Sequence, residues 1–278
     1  LLVPEAIKRH NGDLFFESGP SMEYEISLLV IMAGVAFVAG FMDAIAGGGG
    51  LISVPALLFA GLPPVGALAT NKMQSVVGAV VAATTYARKG YVDFKQLGVA
   101  IITTFVGSMI GAFGATQMDT DILLVLVPIL LIGVAAYFLF SPRLSDDARA
   151  ERLNFALFAP LMGFTIGFYD GIFGPGTGSF FTAGFVTLFG FGVTRAVGST
   201  KVLNATSNAA ALVFFIYAGE VIWAVGGAMI VGQFGGGYLG AITGMRFGAK
   251  IIKPMIVIIS TAMAVRLLWP QIIEIFAT

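Results

Sequence analysis

The chain has no cysteine and one histidine, His10. Without thiols there are no disulfides, no thiolate nucleophile and no cysteine-held metal. One imidazole in a polar N-terminal stretch cannot build a zinc site or a catalytic dyad. No Gly-x-x-x-x-Gly-Lys-Ser/Thr segment occurs, which argues against ATP as a direct energy source, and no residue pattern suggests an activated nucleophile. Charge is scarce as well: 11% of residues are Asp, Glu, Lys or Arg, against about 25% in an ordinary soluble domain. The 15 basic and 15 acidic residues cancel, so no excess of one sign points to nucleic acid or to an acidic partner. The expectation is a protein that is not an enzyme, with no cofactor and no metal.

What is abundant is apolar. Hydrophobic residues make up 58% of the chain and the mean hydropathy is +0.95, which places the protein in a lipid bilayer. Residues 1–26 are polar, carry Lys8, Arg9, Asp13 and Glu17, and lack the apolar run of a secretory signal; no function is assigned to them. A helix needs about 20 mostly apolar residues to span a bilayer. Such runs occur at 26–46, 65–86, 97–116 and 122–140, then again at 155–173, 193–218, 221–243 and 251–268. Two apolar pieces, 51–60 and 180–189, are about half that length and each follows a Gly-rich break. The polar linker 141–153, with Arg143, Asp146, Asp147, Arg149, Glu151 and Arg152, separates the halves.

The halves repeat each other. Gly40-Phe-Met-Asp43-Ala-Ile-Ala-Gly47-Gly48-Gly49-Gly50 returns as Gly167-Phe-Tyr-Asp170-Gly-Ile-Phe-Gly174-Pro-Gly176-Thr177. Farther along, Gly90, Gly98, Gly107 and Gly111 match Gly219, Gly227, Gly236 and Gly240 at one constant shift. The pairs Gly107/Gly111 and Gly236/Gly240 are small-x-x-x-small faces that let membrane helices approach closely, within one chain or between copies in a homo-oligomer. Basic loops at 88–95, 141–153 and 246–253 read as cytoplasmic, and the turns at Asp119/Asp121 and Glu220 as external. Glu220 is then outside where its counterpart loop is inside, so the halves are inverted. The expected fold is an all-α polytopic membrane protein of two inverted-topology repeats, 27–140 and 154–269. Each repeat has about four long transmembrane helices plus one short half-helix after a Gly-rich break; both termini then lie outside.

Irregular backbone at membrane depth survives only where protein or a water-filled cavity satisfies its polar groups. The glycines Gly47 to Gly50, with Gly174, Gly176 and Thr177, let amides converge at two half-helix starts, a suitable place for an anion. Lys72 and Lys201 lie about two turns into their helices, where an unpaired ammonium in lipid costs about 3 kcal/mol or more; completing the anion site and snorkelling both suit them. Asn71, Gln74 and Ser75 surround the first lysine; Ser199, Thr200, Asn204 and Asn208 surround the second. Asp43 and Asp170 suit pairing with the lysines, capping freed amides, or carrying protons. The site so drawn takes a small anionic substrate near the midplane. A secondary transporter fits it best, and an anion channel with the same amide and lysine filter is the alternative.

At these residues the chain resembles the TauE/SafE family of sulfite and sulfonate exporters, the 4-toluene sulfonate uptake permeases. The likeness is carried by 40–50, Ala69-Thr-Asn-Lys-Met-Gln74, 167–176 and Lys201-Val-Leu-Asn-Ala-Thr-Ser-Asn208, and includes the bacterial branch with no assigned substrate. It implies a permease of the bacterial cytoplasmic (inner) membrane that moves sulfite, thiosulfate or organosulfonates, usually outward.

Overall fold

The computed structural model describes residues 26–119 and 153–247, with residues 122 and 129. The runs expected at 122–140 and 251–268, the linker and residues 1–25 lie outside the described residues. Those described form eight α-helices and no strand. They are α1 (Ile26–Ala46), α2 (Gly50–Phe59), α3 (Pro64–Arg88), α4 (Phe94–Thr116), α5 (Phe155–Ile172), α6 (Thr177–Thr187), α7 (Val193–Tyr217) and α8 (Trp223–Phe247). Four of them, α1, α4, α5 and α8, are long and apolar enough to cross a membrane. Helices α3 and α7 have the length but carry the buried polar residues.

Local chemistry sets the boundaries. Helix α1 stops where Gly47 turns to φ +74°, a conformation costly for any residue with a Cβ. Helix α3 opens on Pro63 and Pro64, where a missing N–H costs nothing and the ring presets φ. Asp93 caps α4 by accepting from the Gln96 amide at 3.1 Å, and Asn154 caps α5 by accepting from Leu157 at 3.3 Å.

The short helices turn back. Leu51 and Val54 at the start of α2 cluster with Ala44, Ile45 and Ala46, whereas Leu57 near its end clusters with Met32 and Ala36. Helix α2 therefore returns alongside α1. Likewise α6 starts near the end of α5 and finishes beside its beginning, where the Leu153 amide donates to the Leu188 carbonyl and Phe155 stacks among Phe185, Phe189 and Phe191.

Glycines fix how the long helices lie. Gly232, Gly236, Gly240 and Gly244 on α8 back in turn onto Ala33, Phe37, Phe41 and Ile45, so α8 and α1 run in the same direction. On α5, Gly163, Gly167 and Gly171 meet Ala100, Thr104 and Ser108, so α5 and α4 also run together. A side chain at Gly107 or Gly111 would strike the carbonyls of Phe164 or Phe168; one at Gly236 or Gly240 would strike those of Phe37 or Phe41. Both small-residue faces are thus used inside the chain, joining one half to the other. Helices α3 and α7 cross between them in opposite senses: Tyr86 meets Gly198, while Ala69 and Met73 cluster with Ala211, Leu212 and Phe215.

The outside is apolar, and the charge is inside. Val99, Ile102, Val106, Ile110 and Phe113 form an exposed stripe along α4, and Phe234, Tyr238 and Ile242 another along α8. The interior holds Asn71, Lys72, Gln74, Asp170, Lys201, Asn204 and Asn208. Apolar faces outward and charge inward is the arrangement of a chain solvated by lipid.

Candidate functional site

Each break is built from a helix that ends early, a glycine at positive φ, and a short helix leaving at an angle. Gly47 and Gly174 occupy matching places and both have positive φ, +74° and +96°. Past them the copies differ. Gly176 is left-handed at φ +86°, while its counterpart Gly49 is right-handed at φ −55°. The breaks touch: a Cβ on Gly178 would lie 2.7 Å from the Gly47 Cα. Ser179 secures this crossing by donating to the Ala46 carbonyl at 2.8 Å and to the Gly47 carbonyl. Two broken backbones meet here, and the Ser179 hydroxyl of one half satisfies carbonyls at the break of the other.

The lysines are paired across the halves. Lys72 Nζ lies 2.7 Å from Asp170 Oδ1, and Lys201 Nζ lies 2.8 Å from Asp43 Oδ2. Each ammonium also donates to the main-chain carbonyl of the same aspartate, and the Asp43 carbonyl accepts from the Gly47 amide at 2.8 Å as well. Neither lysine snorkels, since both are sealed in protein. An ion pair this deep is held by its further hydrogen bonds, because coulombic attraction alone rarely offsets desolvation. Asp170 has them in full: Thr177 Oγ donates to Oδ1 at 3.0 Å, and Ser207 Oγ donates to Oδ2. Asp43 has less, a 3.3 Å bond from the Gly49 amide to Oδ1. The acids therefore both pair with lysine and hold backbone or hydroxyl donors of the breaks.

Between the pairs is a cavity of about 20 Å³, lined by Gly47 to Gly50, Gly174, Gly176 and Gly178 with Asp43, Asn71, Ser75, Asp170, Thr177, Asn204 and Asn208. That is room for about one water. Its polar walls come from both halves. Asn71 Oδ1 accepts from Ser53 at 2.5 Å and from Gln74 at 2.8 Å, and Asn208 Nδ2 donates to Asn204 Oδ1 at 2.9 Å. Of the residues singled out by sequence, the two lysines, Gln74, Ser199 and Thr200 do not line the cavity. The lysines stand behind their aspartates, Gln74 holds Asn71, Thr200 lies 3.1 Å from Thr182, and Ser199 is buried elsewhere on α7. Several of the amides expected to face an anion are engaged in their own turns: Leu51 donates to Gly48, Thr177 to Gly174 and Ser179 to Gly176.

Ser53 was not singled out by sequence, and the bonds made by the Ser179 and Ser207 hydroxyls were not read from it. Hydroxyls and glycines are ordinary in membrane helices, so individually they carry no signal. Extending the repeat by one further match would have found one pair, because Ser53 and Thr182 sit at equivalent places and bond equivalent partners, Asn71 and Thr200. Among the described residues no group of acidic or histidine side chains could hold a metal ion.

Buried charge pairs closing two helix breaks, inside a bundle whose outer faces are apolar, define a multi-pass membrane protein with a polar centre. The comparisons give its family: residues 32–267 match the family described as sulfite exporter TauE/SafE, and the chain belongs to it. It is a membrane transporter of that family. It is 48% identical over 242 residues to "Probable membrane transporter protein ORF9" of Sinorhizobium sp, covering 87% of this chain and 92% of that protein. It is also 46% identical over 242 residues to "Probable membrane transporter protein YfcA" of Escherichia coli K12, covering 87% and 90%. A Haemophilus influenzae "Probable membrane transporter protein" is 43% identical over 250 residues, covering 90% and 98%. No solved structure matches the chain.

Proposed function

We propose that this chain is a secondary transporter, working as an exporter in the bacterial inner membrane, for small sulfur oxyanions such as sulfite, thiosulfate or organosulfonates. The observation that carries this reading is the crossed pairing Lys72–Asp170 and Lys201–Asp43. Each pair joins one half to the other beside a glycine break, and an oxyanion is a competing acceptor for the same ammonium protons. In the conformation described, the carboxylates occupy the lysines and the central cavity is water-sized. Separation of the halves opens the pairs, and the anion takes the acceptor positions between Gly47 to Gly50, Gly174 to Thr177, Asn71, Ser75, Asn204 and Asn208. Asp43 and Asp170 are the side chains through which anion movement would couple to a pH gradient.

The halves, 27–140 and 154–269 about the linker 141–153, act as inverted repeats that rock against each other. Supporting this are the helix directions: α1 runs with α8, α4 runs with α5, and α3 opposes its counterpart α7. Substrate identity rests on the family description and on the fit of an oxyanion to lysine and amide donors.

The test is flux into proteoliposomes of sulfite, thiosulfate, sulfate, taurine and sulfoacetate, with and without a pH gradient. The expected result is saturable, gradient-dependent movement of a sulfur anion that is abolished by Lys72→Ala and by Lys201→Ala. A large, unsaturable conductance would replace the transporter with the channel alternative, and wild-type flux in the lysine variants would remove the site.

A further inference from the structure

A second basic site lies away from the central cavity. Where the C-terminal ends of α3 and α8 run side by side, a groove of about 530 Å³ opens between them. Three cations, Arg88, Lys89 and Arg246, line it together with Tyr91, Tyr238, Ile242 and Met245. All three cations are exposed, and among the described residues none forms an ion pair, since the only two such pairs are those of the central site. A cation at a helix C-terminus is commonly explained by the helix dipole. That accounts for Arg88 and Arg246 singly. It does not account for three cations that line one groove together with Ile242 and Met245.

The groove is continuous with the outer face of the bundle. Phe234, Tyr238 and Ile242 recur about one turn apart along the exposed side of α8, and Val80 and Thr84 precede Arg88 along that of α3. An apolar track leading to a cationic head matches an acyl chain joined to a phosphate. The same basic ends are those the charge distribution assigns to the cytoplasmic side, where anionic headgroups concentrate. We propose that this groove binds the phosphate of an anionic membrane lipid, with Arg88, Lys89 and Arg246 on the phosphate oxygens and the acyl chains along Phe234, Ile242 and Val80.

The test uses the full chain purified in detergent and titrated with phosphatidylglycerol, with phosphatidylcholine and with inorganic phosphate, and bound lipid is counted by native mass spectrometry. Phosphatidylglycerol is expected to bind at least tenfold tighter than phosphatidylcholine, and R88Q/K89Q/R246Q is expected to lose that preference. Lys95→Gln, a basic residue outside the groove, keeps it. If the triple variant does not fold, the single variants R88Q and R246Q serve instead, each expected to weaken phosphatidylglycerol binding several-fold. An undiminished preference in the groove variants overturns the proposal. So does complete displacement of phosphatidylglycerol by millimolar inorganic phosphate, which would make the site one for free phosphate.

Discussion

The two copies of the charge pair are built from the same letters and are not equally closed. In the Lys72–Asp170 pair the side chains are 1% and 2% exposed; in Lys201–Asp43 the lysine is 0% and the aspartate 13% exposed. Asp170 is held by two hydroxyls, from Thr177 and Ser207, whereas Asp43 has one longer amide bond. The cause is local. Where α7 carries Ser207, the repeat places Gly78 on α3, and where the second break carries Thr177, the first has Gly50. One pair is the more deeply buried and better hydrogen-bonded anchor, and the other is the more accessible. The account therefore predicts that Lys201–Asp43 opens first.

The largest expected effect breaks the anchor. Lys72→Ala leaves the Asp170 carboxylate sealed without its cation, which should cost about 3–5 kcal/mol and lower the melting temperature more than Lys201→Ala does. Parallel thermal unfolding of the two variants in one detergent checks the order; equal shifts would erase the distinction between the pairs. Next comes Gly174→Ala, where the backbone has φ +96° and a Cβ would lie 2.7 Å from Lys72 Nζ. Strain alone costs about 1–2 kcal/mol, and displacement of the lysine adds to it. Gly61 has a similar φ of +86° but open space around it, so Gly61→Ala should show the strain by itself and leave flux unchanged. Ser207→Ala removes a hydroxyl donor to a buried carboxylate, worth about 1.5–3 kcal/mol, and should make Lys72–Asp170 resemble Lys201–Asp43. The smallest effect is expected from Ser53→Ala, about 1 kcal/mol, which loosens Asn71 without touching either pair; its flux should stay within a few-fold of wild type.

Much of the fold was legible because the breaks announce themselves. Residues 26–46 coincide with α1, and 155–173 and 193–218 each differ from α5 and α7 by one residue at an end. Glycine and proline fix those ends through backbone conformation, which is a local property. The short piece expected at 180–189 begins earlier, at Thr177, because Gly176 itself supplies the turn and Thr177, Gly178 and Ser179 enter the helix at once. At the site, most of the residues named from sequence come together around one cavity, but sequence could not choose among roles for the charges. Asp43 and Lys72 lie in the same half and look like natural partners, yet each pairs with the opposite half. Crossing of this kind depends on how α3 and α7 pass each other, a tertiary fact with no local signature. The partners of the Ser179 and Ser207 hydroxyls were hidden for the same reason, since they are more than thirty residues away.

In this reading the crossed pairs open so that the substrate replaces aspartate as acceptor on each lysine, rather than serving as structural glue. Replacing a buried ion pair by apolar residues of similar size is often neutral or stabilising for folding, which separates the two roles. The decisive measurement is sulfite flux by Lys72→Met/Asp170→Leu in proteoliposomes, alongside its melting temperature. The account predicts a protein that melts at or above the wild-type temperature and moves no anion; wild-type flux from that well-folded variant would contradict it.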